Sequence, residues 1–392
     1  MKIFDTLSKR YHYFATGRKA DSLGKKRNFK IFVCGPTVYD YCHLGHARVF
    51  LFYDLVSRFL RLQGTEVTFV MNITDIDPKI SARARRYGYA TEKISTRFIH
   101  ELYLDLSQLG VTGISFARVS DYVLMARHLA LKLLEKDMAY SLNGNVYLDT
   151  SKTPLFGQLS AMSKHQLEDM RLDLAPNKRS PSDLLLWNTT DDIGYRYYDK
   201  TLGSGFPSAH LQDLSVLIAL FKGNYQLHGG AADLIYPHHE SILGQLNALS
   251  SVKHPVECWT HVGLFLNRGE KMSNSLDNAI QIRKILQRYN PNIVRLYMLS
   301  EHYRKPMLFS ESRLRTFEKL DKKISKIVSA ATIAEPISSE GNKSSEFMKN
   351  FVSYIENDFD TVNALRVLTD MAEIANTSAS FLEILQILGL HY

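Results

Sequence analysis

The sequence predicts an α/β fold built on a parallel sheet, and three features carry the prediction. An apolar, β-branched run, FKIFVCGPTVYD (29–40), stops at Gly-Pro; an amphipathic stretch, HARVFLFYDLVSRFLRLQG (46–64), and a second apolar run, TEVTFVMNITDID (65–77), follow it. The same strand, loop and helix order returns in NYQLHGGAADLIYPHHESILGQLNAL (224–249). From about residue 310 onward the apolar positions recur at helical spacing. A strand–helix–strand unit with parallel strands opens a crevice at the C-terminal strand ends, and a ligand is expected there.

Taken in order, 29–40 reads as a buried strand running into a loop, and 46–64 as a helix with Gly64 at its C-terminal end. Residues 65–77 give the second strand. Between roughly 115 and 205 the chain shifts to short segments rich in turn residues, such as SLNGNVYLDTSK and APNKRSPSD, which reads as an inserted domain. HVGLFL (261–266) reads as a short apolar strand. In the helical end, EPISSEGNKSSE (335–346) reads as a loop and DTVNALRVLTDMAEIANTSASFLEILQIL as helix. The expected segments are 1–115 and 206–310 for the two halves of the sheet domain, 116–205 for the insertion and 311–392 for the helical part.

Composition narrows the class. The 392 residues are 45% hydrophobic and 22% charged, ordinary for a soluble globular protein with a large core. No apolar run reaches the length of a membrane span, and MKIFDTLSKRYHYFATGRK has no apolar segment of an export signal. Three cysteines (Cys34, Cys42, Cys258) cannot build a disulfide framework and fit a reducing cytoplasm. A net charge of +8 permits an anionic partner such as RNA or ATP.

Two short motifs carry chemistry. His43-Leu44-Gly45-His46 falls between the first strand and its helix. Imidazoles three residues apart at a helix N-terminus can hydrogen-bond phosphate oxygens, and a glycine there lets an adenine ring approach the backbone. Downstream, Glu270-Lys271-Met272-Ser273-Asn274-Ser275 follows HVGLFL. A lysine flanked by hydroxyl residues on a mobile loop can neutralise the charge that develops on departing pyrophosphate. In this order, the pair resembles the two signatures of class I aminoacyl-tRNA synthetases. CGPTVYDYCHLGHAR, NITDIDPKI, LHGGAADLIYPHHE, GEKMSNSLDN and LSEHYRKP together are similar to the cysteinyl-tRNA synthetase family, and NDFDTVNALRVL resembles the start of its helical domain.

The resemblance implies a class I synthetase Rossmann-type parallel sheet with an inserted connective domain and a C-terminal helical domain. It implies ATP with Mg²⁺ between the signatures: His43 and His46 on the phosphates, Gly45 under the adenine, Lys271 on the pyrophosphate, with Gly35, Thr37, Met272 and Ser273 completing the nucleotide site. Cys34, Thr74, Ala209, His228 and Asp233 fall in motifs of the amino-acid pocket, Thr74 and Asp233 as holders of the substrate ammonium. A substrate carboxylate would attack the α-phosphate, and positioning with electrostatics suffices for that step.

The family grips cysteine with a zinc ion, and here the ligand pattern departs. Cys34 and His238 match two ligands; Asp213 stands at the place of a cysteine and Ile242 at the place of a glutamate. Ala209 stands where the family has tryptophan. Two outcomes follow: a three-ligand Zn²⁺ site of Cys34, Asp213 and His238, with His210 as a further donor, or loss of the metal. Without zinc, small side chains are poorly discriminated, and the amino acid is then expected to be other than cysteine, larger or more polar. The chain ends at Tyr392, near the end of the helical part, so the family's anticodon-reading domain is expected to be missing. The mycothiol ligases, which join cysteine to an amino sugar, resemble it in that respect. The acceptor is therefore either the acceptor arm of a tRNA, which the basic run LDKKISKI (320–327) slightly favours, or a small-molecule amine or carrier. A third alternative is an inactive paralogue that binds RNA or an amino acid. A cytoplasmic monomer with no membrane contact is expected.

Overall fold

The computed structural model describes residues 1–16, 28–169, 177–189, 197–250, 252, 255–333, 342–374 and 378–392. A hairpin of β1 (Lys2–Asp5) and β2 (Arg10–Tyr13) precedes the first core strand, β3 (Asn28–Val33). Then come α1 (Leu44–Leu62), β4 (Glu66–Ile73), α2 (Pro78–Tyr87), α3 (Thr91–Gln108), β5 (Ser115–Arg118) and α4 (Val123–Glu135). A second group holds β6 (Ala139–Leu142), β7 (Asn145–Leu148), α5 (Lys164–Asp169), β8 (Leu184–Thr189), β9 (Tyr197–Asp199) and β10 (Gly203–Pro207). The chain returns through α6 (Ala209–Phe221), β11 (Tyr225–Ala231), α7 (Glu240–Leu249) and β12 (Val256–Val262). Next are β13 (Phe265–Asn267), β14 (Glu270–Lys271), α8 (Ile282–Leu286), α9 (Pro291–Leu299) and β15 (Met307–Leu308). It finishes in α10 (Glu311–Ile333), α11 (Asn342–Glu356), α12 (Thr361–Glu373) and α13 (Ala379–Leu388).

The central sheet has the order β12-β11-β3-β4-β5, every neighbour pair parallel. From β3 the chain builds outward to β4 and β5, and later fills the other side with β11 and β12. The order reverses between β3 and β11, which leaves a crevice at their C-terminal ends. Strand β3 alternates between two cores. Phe29, Ile31 and Val33 pack with α1 and the C-terminal helices, while Phe32 and Cys34 face the side of α4, α6 and α7. Burial on both faces is why the run reads as continuously apolar.

The strands β6-β7-β8-β10-β9 form a separate antiparallel sheet that extends to Pro207, and the central sheet reaches Arg118 through β5. Two expectations are corrected. HVGLFL is not one strand: β12 ends at Val262 and β13 begins at Phe265. At Gly263 between them an added Cβ would lie 2.4 Å from the Lys305 carbonyl oxygen, so the chain bends where another backbone crosses it. Of the expected loop 335–346, residues 342–346 are the first turn of α11, and 335–341 lie outside the described residues. The polar Asn-Lys-Ser-Ser composition suits a helix start as well as a loop. The run 320–327 is part of α10. No helix among the described residues is long and apolar enough to cross a membrane.

A buried ion pair ties the helices behind the sheet. Arg295 on α9 is 1% exposed and Asp54 on α1 is fully buried. The Arg295 guanidinium donates to Asp54, to the Leu388 carbonyl at 3.0 Å and to the Leu109 carbonyl at 2.9 Å. One side chain thus joins α1, α9, α13 and the end of α3. Asp54→Ala leaves this guanidinium buried without its counter-charge, and a loss of about 3–5 kcal/mol is expected, read as a lower urea midpoint.

Candidate active site

The crevice between β3 and β11 holds a cavity of about 310 Å³. A larger, open depression of about 490 Å³ lies between the N-terminal hairpin and α11, but it gathers no metal-ligating or nucleophilic cluster, so volume alone does not locate the chemistry. Its floor in the crevice follows from one close approach. After β3 the Gly35 N–H donates to Asn72 Oδ1 at 2.8 Å, and a Cβ on Gly35 would sit 1.8 Å from the Asn72 carbonyl oxygen. Only glycine lets these two strand ends touch.

The first motif forms the N-terminus of α1. His43 is the N-cap: its Nδ1 accepts from the Gly45 N–H at 3.1 Å, while His46 Nδ1 accepts from the His43 N–H at 3.3 Å. Both rings spend Nδ1 on backbone donors, so each keeps its proton on Nε2 and offers it as a donor. The rings stack at 3.9 Å. Burial, with the neighbouring His46 and Lys271, drives the His43 pKa down to about 2; burial and Lys271 bring His46 to about 4. They are neutral donors at a helix N-terminus, suited to phosphate oxygens. A side chain at position 45 would press on the His43 ring at 2.9 Å, which accounts for Gly45.

The second motif is a hairpin and the turn after it. β13 and β14 pair through Leu266 and Lys271, joined by Arg268 and Gly269, both at positive φ. Met272 is buried as the anchor, and Ser273 caps a short turn, its Oγ accepting from the Leu276 N–H. Asn274 Nδ2 donates to the Tyr41 carbonyl at 3.0 Å, beside the first motif. Lys271 Nζ is half-exposed and paired with the Asp233 carboxylate.

Behind the cleft lies a buried cluster around Cys34. Its thiol donates to Asp213 Oδ2 at 3.0 Å, and the same oxygen meets His238 Nε2 at 2.9 Å. Cys34 Sγ lies 3.6 Å from His238 Nε2, 3.1 Å from His239 Nε2 and 3.7 Å from His228 Nε2. Each donor has a second contact that orients it: Asn72 to Asp213 at 2.7 Å, His210 to His238 at 3.0 Å, and His261 to His239 at 2.8 Å. Burial, reinforced by the Asp213 carboxylate, pushes the Cys34 thiol well up, and burial pushes the His228 and His239 imidazoles well down. The donor chemistry fits zinc. The ligand atoms of Cys34, His238 and His239 lie within 4.8 Å of one another, and neighbouring ligand atoms around tetrahedral zinc are roughly 3.3–3.8 Å apart.

Of the residues singled out in the sequence, Cys34, Gly35, Thr37, His43, Gly45, His46, Asp233, Lys271, Met272 and Ser273 line the cleft. Cys34, Asp213 and His238 meet at hydrogen-bonding distance. Three of the residues placed in the amino-acid pocket do not line the cavity. Thr74 lies under its floor, its N–H bonded to the Pro36 carbonyl at 3.2 Å. His228 stacks on Trp259 behind Cys34, because consecutive strand residues point to opposite faces. Ala209 opens α6 and presents no group to the cleft. Asp233, expected on a substrate ammonium, is paired with Lys271. Sequence reasoning missed His239, Asn72 and His261. The HH pair of PHHE and the Asn of NITDID were the available signals, but which of two adjacent histidines turns inward depends on the irregular backbone at Ile235–His239.

The family model described as tRNA synthetases class I (C) catalytic domain matches residues 21–319. A cysteine–tRNA ligase of Thermoplasma acidophilum is 35% identical over 349 residues, covering 87% of this chain and 76% of that protein. One from Laribacter hongkongensis is 37% identical over 356 residues, covering 89% and 76%. Among solved structures, Mycobacterium tuberculosis methionyl-tRNA synthetase in complex with methionyl-adenylate has a TM-score of 0.66 at 14% identity, covering 92% of this chain and 88% of that one. That likeness establishes the fold, and the sequence matches establish the lineage. The chain belongs to the class I (C) tRNA synthetase catalytic-domain family, a family of ligases whose relatives include the cysteine–tRNA ligases.

Proposed function

We propose that the cleft activates an amino acid with ATP and passes the aminoacyl group to an RNA acceptor. The observation that carries this reading is the meeting of both signature motifs across one cavity, His43 and His46 with Nε2–H donors and Lys271 opposite. In the reaction a carboxylate oxygen of the amino acid bonds to the α-phosphorus as the bond to pyrophosphate breaks. The chain supplies no nucleophile. The two imidazoles donate to phosphate oxygens; Lys271 exchanges the Asp233 carboxylate for the outer phosphates of bound ATP, which frees Asp233 for the substrate ammonium before the attack, and it stays on the pyrophosphate as that leaves. Mg²⁺ accompanies ATP and screens its charge.

Cys34, Asp213 and His238 would hold zinc, with His239 as a nitrogen donor in reach, and the ion would supply a Lewis acid that grips a thiolate side chain. This supports cysteine as the amino acid. A second reading, a larger or more polar amino acid, is favoured by the hard Asp213 carboxylate next to Cys34.

Amino-acid-dependent ATP–pyrophosphate exchange tests the whole reading. Cysteine is expected to drive exchange above the other amino acids, and Lys271→Ala or His46→Ala to lower it about 10²-fold or more. Exchange driven best by another amino acid selects the second reading, and no exchange with any rejects activation. Metal analysis is expected to find zinc in the purified protein and to find it depleted in Cys34→Ala and His239→Ala. In an NMR titration His43 and His46 are expected to stay neutral between about pH 8 and pH 5, since both pKa values are depressed; a midpoint near 6.5 in either ring would contradict neutral donors.

A further inference from the structure

We infer that the exposed face formed by α2 and the start of α3 docks single-stranded RNA and leads its end into the cleft. This rests on the RNA-acceptor reading above and gives it a surface. Charge is the first observation. Residues 78–97 hold six basic side chains (Lys79, Arg83, Arg85, Arg86, Lys93, Arg97) against one acid, Glu92, a net +5 in twenty residues when the whole chain carries +8. Lys79, Arg86, Lys93 and Arg97 are exposed. Arg83 is committed to Asp40 at 2.8 Å, and Arg97 donates to the Tyr41 hydroxyl at 3.0 Å. Arg86 and Lys93 have no carboxylate partner among the described residues. A cationic face of this density attracts a polyanion and releases counterions on binding it.

The second observation is aromatic. Tyr87 is 52% exposed and Tyr89 46% exposed, on either side of Gly88, whose positive φ ends α2. Cations lie over both rings: Arg83 at 5.2 Å and Arg86 at 6.0 Å from the Tyr87 centroid, Lys93 at 4.2 Å from that of Tyr89. A merely solvated helix face explains the charge but not two large rings left in water beside it. Rings for base stacking interleaved with cations for phosphates are what an unpaired nucleic-acid strand needs, without sequence readout. Position is the third. Lys79 and Phe98 line the cleft, so the basic ridge begins at its lip and runs outward along about 15 Å of α2. A strand lying on this ridge ends beside the site where the acyl group would be activated.

The test uses the full chain and a short RNA hairpin with a single-stranded 3′ end, its affinity followed by fluorescence anisotropy over a range of salt. Arg86→Glu with Lys93→Glu is expected to weaken binding about tenfold or more and to flatten the log–log salt slope by about 1.4, two phosphate contacts at about 0.7 each. Tyr87→Ala with Tyr89→Ala is expected to weaken it at least about fivefold with the slope kept. ATP–pyrophosphate exchange should stay unchanged in both variants, which also reports that the fold and cleft are intact. Wild-type RNA affinity in both variants, or preference for an acidic peptide over the hairpin, overturns the docking surface while leaving amino-acid activation standing. Failure of exchange in the unmodified protein would instead remove the reading on which the surface rests.

Discussion

Two backbone hydrogen bonds hold the chemistry together. The Leu44 N–H donates to the Ile280 carbonyl at 2.9 Å, and the Ile282 N–H donates to the Cys42 carbonyl at 3.0 Å. They clamp the N-terminus of α1 against the segment that follows Lys271, across more than two hundred residues of chain. Asn274, bonded to the Tyr41 carbonyl, adds a third tie from the signature loop itself. Because the clamp joins backbone to backbone at a buried helix start, the two histidines and the backbone segment that follows Lys271 keep one mutual arrangement, while the Lys271 side chain stays half-exposed. That fixed arrangement is the form of catalysis available to a site without its own nucleophile.

Burial then sets the charge state of what is clamped. His43 and His46 lose their protons to desolvation and use Nδ1 on the backbone, so they meet an anion as neutral donors. The positive charge is left to Lys271, which sits half-exposed and paired with Asp233. A neutral pair of donors puts no cation into the buried helix start, and a movable lysine lets the charge follow the departing group.

The Cys34 cluster obeys the same rule one layer deeper. Its polar atoms have little contact with water, so they satisfy one another: thiol on carboxylate, carboxylate on imidazole, and each imidazole on a further histidine or Tyr225. Cys34 comes to this side because β3 alternates, and Asp213 meets it because α6 packs on that face of the sheet. Donors already converged by packing are the condition for binding a metal without large rearrangement.

The sequence by itself determined the class of fold and picked out the two signature motifs that line the cleft, because apolar periodicity and short contiguous motifs are local properties. It placed the first strand–helix–strand unit, His43 and His46 at a helix start, and Lys271 after a strand. It also brought out Asp213 as a departure from a familiar pattern. What only the tertiary structure decided is how distant elements face each other. His239 joins Cys34 because of the irregular turn at Ile235–His239, Asp233 meets Lys271 rather than standing alone, and Thr74 and His228 lie behind the wall they were expected to line. Side-chain direction on a bent segment and partner choice across the sheet depend on packing that no local pattern encodes.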